Sequence, residues 1–171
     1  SSIRFMEKCV FCDLASGKAP SFKIYEDAKF FACLDIRPAT LGHVLVFPKE
    51  HLTFLSQMRE EDIGRLFQIC KDIAFALLKA GAKGVNLIHS IGEAAGQKST
   101  HLLVHVIPRY ENDKVVISWQ PVEVQQDLMQ KIQNTLINSL KEVKAGEEEK
   151  SEEVSKEVKE REIRENIPNY W

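Results

Sequence analysis

Long apolar runs are missing from this chain. No window approaches the roughly 18 consecutive apolar residues that a membrane-spanning helix needs, and Ser1 to Lys8 lack the apolar core of a secretory signal. The expectation is therefore a cytoplasmic protein with no membrane partner. A cationic excess is missing as well. Against 23 Lys and Arg stand 25 Asp and Glu, a formal charge of −2, which leaves no overall basic footprint for a phosphate backbone and argues against polymeric nucleic acid as a partner. Cysteine is scarce, with four residues in all, and in the reducing compartment expected here metal or redox chemistry is favoured over a structural disulfide. Cys33 and Cys70 sit inside apolar segments, while Cys9 and Cys12 form a Cys-x-x-Cys pair. No internal repeat breaks the chain into modules.

What is present suits one globular domain plus a tail: 171 residues, 44% of them apolar. Short runs rich in β-branched and aromatic residues come first, Phe22 to Tyr25, Phe30 to Leu34 and His43 to Phe47. Glu26-Asp27 and a Pro38/Gly42 turn region separate them, so they read as an antiparallel meander. From Asp62 to Ala80 the apolar residues recur at three- and four-residue steps along one helical face, and Gly81 stops the helix. Two further strands are expected, Val85 to Ser90 and Thr100 to Ile107, joined by the loop Gly92-Glu-Ala-Ala-Gly96-Gln97. The order predicts an α+β fold.

A second amphipathic helix is expected over Val122 to Val143, with Leu128, Ile132, Leu136 and Leu140 on one face. Beyond Gly146 the composition turns to mixed charge, which predicts an exposed helix or a solvated tail. The boundaries that follow are an extension at 1–8, a domain at 9–145 and a charged segment at 146–171. Its aromatic end, Ile167-Pro-Asn-Tyr170-Trp171, reads as a foot that docks on the body or on a second subunit.

Chemistry concentrates on the last expected strand. Alternation puts His101, Leu103, His105 and Ile107 on one face and Leu102, Val104 and Val106 on the core side. Two histidines thus flank a leucine, beside a glycine-bearing loop whose amides can meet an anion. Cys9 and Cys12 can be a redox pair, a buried coincidence or half of a zinc site. Zinc is favoured, because it takes four nitrogen or sulfur ligands in a tetrahedron and a Cys-x-x-Cys turn supplies two.

The run Gly96-Gln-Lys-Ser-Thr-His101-Leu-Leu103-Val-His105-Val-Ile-Pro-Arg109 resembles the His-x-His-x-His signature of the histidine triad (HIT) family. The earlier run from Leu34-Asp35-Ile36 through Pro38 and Gly42-His43 to Pro48-Lys49-Glu-His51 is similar to the same family's Asp-Ile-x-Pro, Gly-His and Pro-Lys segments. With the Cys-x-x-Cys found in one branch, the likeness covers roughly residues 9 to 110. It implies a five-stranded antiparallel sheet with a long helix and a C-terminal helix, pairing as a homodimer into a ten-stranded sheet.

In the family's mechanism the middle histidine attacks the α-phosphorus of a nucleotide conjugate and forms a nucleotidyl-histidine that water hydrolyses. By resemblance, Asp35 accepts the ribose hydroxyls, and Ile36, Phe11 and Leu45 wall the base. Gln97, His105 and the amides near Lys98 and Ser99 hold the phosphoryl oxygens, His43 supports them, and Ser90 stands where asparagine is frequent. The implied ligand is a nucleoside monophosphate or a nucleotide conjugate. The implied metal set is Cys9, Cys12, His51 and His101 around a structural Zn(2+). Leu103 occupies the nucleophile's position and has no lone pair. Two readings remain open: a nucleotide hydrolase or transferase whose histidine has been replaced, or a domain that binds nucleotides or protein partners without turnover.

Overall fold

The computed structural model describes residues 8–165. Its elements run α1 (Val10–Ala15), β1 (Lys23–Glu26), β2 (Phe30–Leu34), β3 (Val44–Pro48), α2 (Glu60–Lys79), β4 (Gly84–Ile88), β5 (Val104–Arg109) and α3 (Gln126–Glu165). The strands form one sheet in the order β1-β2-β3-β5-β4, antiparallel at every pairing. This is the expected α+β arrangement. None of the described helices is long and apolar enough to cross a membrane. By its contacts the chain divides between Ile117 and Ser118, into a unit that holds the sheet and a second one built on α3.

Residue alternation sets the layers. Phe30, Ala32, Val44, Val46, Val104 and Val106 point to one side of the sheet and meet Leu66, Ile69, Cys70 and Ile73, the buried stripe of α2 at three- and four-residue spacing. Phe31, Cys33, Leu45 and Phe47 point to the other side, where α1 covers them with Phe11, Leu14 and Ala15. Helix α1 is too short to cover that side completely. An open cleft lies on this same side.

Gly81 ends α2 as expected, with φ of 109°. Its N–H bonds to the Leu78 carbonyl and the Ala82 N–H to that of Leu77, the two bonds of a Schellman cap. Gly42 has a different task. With φ of 91°, and with Leu77 Cδ2 only 3.3 Å from where a Cβ would stand, it is the residue that lets the chain turn tightly into His43 and β3.

Three expectations need correction. The last strand begins at Val104, not Thr100. β3 pairs with β5 only from Val44↔Val106 to Val46↔Val104, and at the next positions Pro48 has no N–H for the ladder. The stretch before β5 bonds instead to a loop, Leu102 N–H to the Leu52 carbonyl at 2.7 Å. Inward and outward alternation survives this break, for Leu102 is buried in the core and Leu103 packs on the cleft side. The strand expected to reach Ser90 stops at Ile88. The helix expected from Val122 starts at Gln126 and runs without a break through Gly146. Residues 1–7 and the aromatic foot Ile167 to Trp171 lie outside the described residues.

Candidate functional site

Two clusters occupy the side of the sheet that α1 leaves partly open. The first is a cleft of about 540 Å³ whose wall includes Phe11, His43, Ser90, Gln97, Lys98, Ser99, His101, Leu103 and His105. Nine of the residues expected from the sequence therefore meet in one place. Asp35, Ile36 and Leu45 are not part of that wall. Asp35 stands behind His43, with 3.8 Å between its Oδ2 and His43 Nδ1. Ile36 is 81% exposed just outside, and Leu45 is buried among Phe31, Phe47 and Phe11.

Hydrogen bonds assign the histidine protons. The Ala39 N–H donates to His43 Nδ1 at 3.0 Å, so that nitrogen is an acceptor and the His43 proton sits on Nε2. His43 Nε2 lies 3.0 Å from His105 Nδ1 and donates to it. The proton of neutral His105 is then on Nε2, its remaining ring nitrogen. Burial holds both imidazoles below the ordinary histidine pKa, against the opposing pull of the Asp35 carboxylate. His105 is thus a neutral donor at physiological pH.

The loop after β4 supplies further donors. Gln97 is committed to bracing it: Oε1 accepts from the Gly92 N–H at 2.7 Å, and Nε2 donates to the carbonyls of Thr53 and Ser99 at 3.1 Å each. The Ser99 hydroxyl accepts from the His101 N–H at 3.0 Å and retains its own proton for donation. A residue the sequence reading passed over joins here. His89 Nδ1 donates to the Leu103 carbonyl at 2.7 Å and so anchors the backbone at the leucine position. Nothing in its neighbourhood in sequence marks it, because the partner is a main-chain oxygen on another segment.

The second cluster is Cys9, Cys12, His51 and His101, whose donor atoms all lie within 4.8 Å of one another. Cys9 Sγ is 3.5 Å from His101 Nδ1, and Cys12 Sγ is 3.3 Å from His51 Nδ1 and 3.6 Å from His101 Nδ1. A tetrahedron with zinc–sulfur bonds of about 2.3 Å and zinc–nitrogen bonds of about 2.05 Å has sulfur–nitrogen edges of about 3.5 Å. The donor set fits that ion. His101 Nε2 donates to the Pro48 carbonyl at 2.7 Å, which turns its Nδ1 lone pair toward the thiols, as an outer partner of a metal-bound imidazole does. Burial, with Cys9 alongside, pushes the Cys12 thiol up to about 11 when no cation balances it. α1 explains the geometry on the cysteine side: Asp13 N–H to the Cys9 carbonyl closes a helical turn that brings both sulfurs to one end.

In sequence and fold the chain is similar to known proteins. The family model described as "HIT domain" matches residues 16–112. This chain belongs to the HIT family. An uncharacterized HIT-like protein of Borreliella burgdorferi is 41% identical over 111 residues, which is 63% of this chain and 80% of that protein. Among solved structures, a zinc-bound histidine triad family protein from Mycobacterium smegmatis is 39% identical with a TM-score of 0.61, covering 67% of this chain and 84% of its own. A histidine triad nucleotide-binding protein from Candida albicans is 27% identical with a TM-score of 0.71, covering 80% and 99%. In this chain Leu103 stands between His101 and His105.

Proposed function

We propose that the cleft binds the ribose and α-phosphate of a nucleoside monophosphate or nucleotide conjugate and that Leu103 leaves it without a covalent step. The observation carrying this reading is Leu103 itself, which lines the cleft between His101 and His105 and offers carbon where a nucleophile would need a lone pair. Of the imidazoles in the cleft wall, His105 presents a proton on Nε2 rather than a lone pair. Such a site orients an anion and stabilises its charge but does not attack it.

The parts are assigned as follows. The Asp35 carboxylate takes the ribose hydroxyls; the Arg37 N–H already holds its Oδ1 at 2.8 Å, which fixes the carboxylate plane. Phe11 and Ile36 flank the base, and Leu45 supports Phe11 from beneath. The phosphoryl oxygens are met by the backbone amides at Lys98 and Ser99, the Ser99 hydroxyl and His105 Nε2, with Ser90 at the rim. Gln97 acts by holding the loop. The nucleotide-binding relative from Candida albicans supports the choice of ligand. A second reading, a hydrolase or transferase acting at the α-phosphate, is favoured only by the survival of His43 and His105 around the altered position.

A structural zinc ion held by Cys9, Cys12, His51 and His101 belongs to the proposal, and it would tie the N-terminal turn to the strands. Reducing, cytoplasmic surroundings suit it, since the thiols must stay unoxidised. A homodimer is proposed through the open edge of β4, where Leu87 is 42% exposed. Isothermal titration with adenosine and guanosine monophosphates tests the binding reading. It predicts binding that Asp35→Ala weakens, and an absence of heat at millimolar ligand overturns it.

A further inference from the structure

The loop over residues 36–41, which leads into His43 and β3, has no apolar anchor of its own. Its two large apolar side chains, Ile36 and Leu41, are both exposed. Polar contacts from the chain leaving β5 hold it instead. The Thr40 hydroxyl donates to the Pro108 carbonyl at 2.6 Å, and the Tyr110 hydroxyl donates to the Leu41 carbonyl at 2.9 Å. Gly42 lets the two segments come this near, since a Cβ there would stand 3.4 Å from Pro108 Cγ. The β5 side of this clasp is itself braced. Arg109 donates twice to Asp113, at 2.8 and 2.9 Å, and once to Asn86 Oδ1 at 2.9 Å, while Asp113 also accepts the Tyr110 N–H at 2.9 Å.

We propose that Thr40 and Tyr110 are positioning residues that select the tautomer of the His43–His105 pair by holding the Ala39 amide on His43 Nδ1. Two proton arrangements satisfy the 3.0 Å contact between His43 Nε2 and His105 Nδ1. In the first, the Ala39 N–H occupies His43 Nδ1, His43 donates from Nε2, and His105 keeps its proton on Nε2. In the second, His43 Nδ1 carries the proton and turns it to Asp35 Oδ2, 3.8 Å away; His43 Nε2 then accepts from His105 Nδ1, and His105 Nε2 is left with a lone pair. Each arrangement has one proton per ring, and the contact at His43 Nδ1 tells them apart.

The Asp35 carboxylate favours the second arrangement, because it only accepts. A main-chain amide only donates and enforces the first. An amide on an exposed loop keeps that role only if the loop is held, and Thr40 holds it twice. Its side chain is tied to Pro108, and its carbonyl accepts the His43 N–H at 3.1 Å, with Ala39 the residue just before it. The clasp thereby decides whether His105 offers the cleft a proton or a lone pair. Only the use of that proton, donation to a phosphoryl oxygen, rests on the nucleotide reading.

The test is long-range 15N–1H correlation spectroscopy of the full chain without ligand at neutral pH, on wild type, Thr40→Val, Tyr110→Phe, their double variant and Thr40→Ser. Valine keeps the shape of Thr40 without its hydroxyl, phenylalanine does the same for Tyr110, and serine restores the donor. Wild type and Thr40→Ser should show both rings as Nε2–H tautomers. Thr40→Val and Tyr110→Phe should each shift the ratio toward the Nδ1–H form roughly fivefold, as loss of one hydrogen bond does, and the double variant further. The two rings should shift together, which general loosening of the loop would not produce. An unshifted double variant, a shift of His43 without His105, or a Thr40→Ser that shifts as far as Thr40→Val would each overturn the proposal. With no ligand present, these outcomes are separate from whether the cleft binds nucleotides, which the calorimetric titration decides.

Discussion

His43 Nε2 lies 3.0 Å from His105 Nδ1, and the Ala39 N–H on the far side of the His43 ring decides which of the two nitrogens carries the proton. In neutral protein both imidazoles should therefore be Nε2–H tautomers. Long-range 15N–1H correlation spectra at neutral pH report this directly. A His105 ring protonated at Nδ1 would mean that its cleft-facing nitrogen holds a lone pair, and the site would then contain a base.

The same burial makes stability depend on pH. His43, His101 and His105 all have folded pKa values below the ordinary value of about 6.5, so near and below that pH the unfolded chain binds more protons than the folded one. Stability should be full above it and fall as the solution is acidified from pH 7 to 5. Thermal melts across that range check the sign, and His43→Gln should flatten the slope.

Restoring the signature is the sharpest chemical test. Leu103→His exchanges side chains of similar volume, so the fold should tolerate it. Turnover of adenosine phosphoramidates or dinucleoside polyphosphates should rise on the order of 10³-fold or more over the leucine form, with a nucleotidyl-histidine detectable by mass. A folded but inactive histidine variant would shift suspicion to Ser90, which stands where asparagine is frequent in the family. Substantial turnover by the leucine form itself, abolished by His105→Ala, would defeat the binding-only reading.

Gln97→Ala removes three hydrogen bonds that brace the loop after β4. Leaving the half-buried partners unsatisfied should cost on the order of 1 kcal/mol of stability and weaken nucleotide binding, although the side chain itself need not touch the ligand. Denaturant melts and titration calorimetry on the same variant separate the two effects.

Chelation, or Cys12→Ser, should lower the melting temperature by roughly 10 °C or more if zinc occupies the cysteine–histidine cluster, because metal binding energy is then part of folding energy. Elemental analysis should give close to one zinc per chain. Substoichiometric metal that does not rise on reconstitution would remove the assignment.

Much of this was legible in residue spacing, and the failures have identifiable causes. The α2 stripe and the alternation of Leu102, Val104 and Val106 follow from side-chain periodicity, which burial enforces. The early start expected for β5 ignored Pro48, whose missing N–H on the neighbouring strand ends the ladder. Helix α1 has six residues, no side-chain cap and no fully buried face, so it leaves no periodic signal. The change of composition at Gly146 reads as a boundary, yet α3 continues through it because Glu and Lys are good helix formers. Among site residues, those in motifs were readable, whereas His89 and the bracing role of Gln97 depend on main-chain oxygens that only the folded chain brings near.

The interruption at Pro48 has a thermodynamic consequence. The Pro48 carbonyl receives His101 Nε2–H, the other nitrogen of the same ring faces Cys9 and Cys12, and that ring is also part of the cleft wall. One imidazole is thus shared between two occupancies. If an ion at the cysteines raises affinity in the cleft by ordering that ring, a ligand in the cleft must raise affinity for the ion by the same factor, since linkage between two equilibria is reciprocal. Metal titrations performed with and without nucleotide would read that factor from either direction.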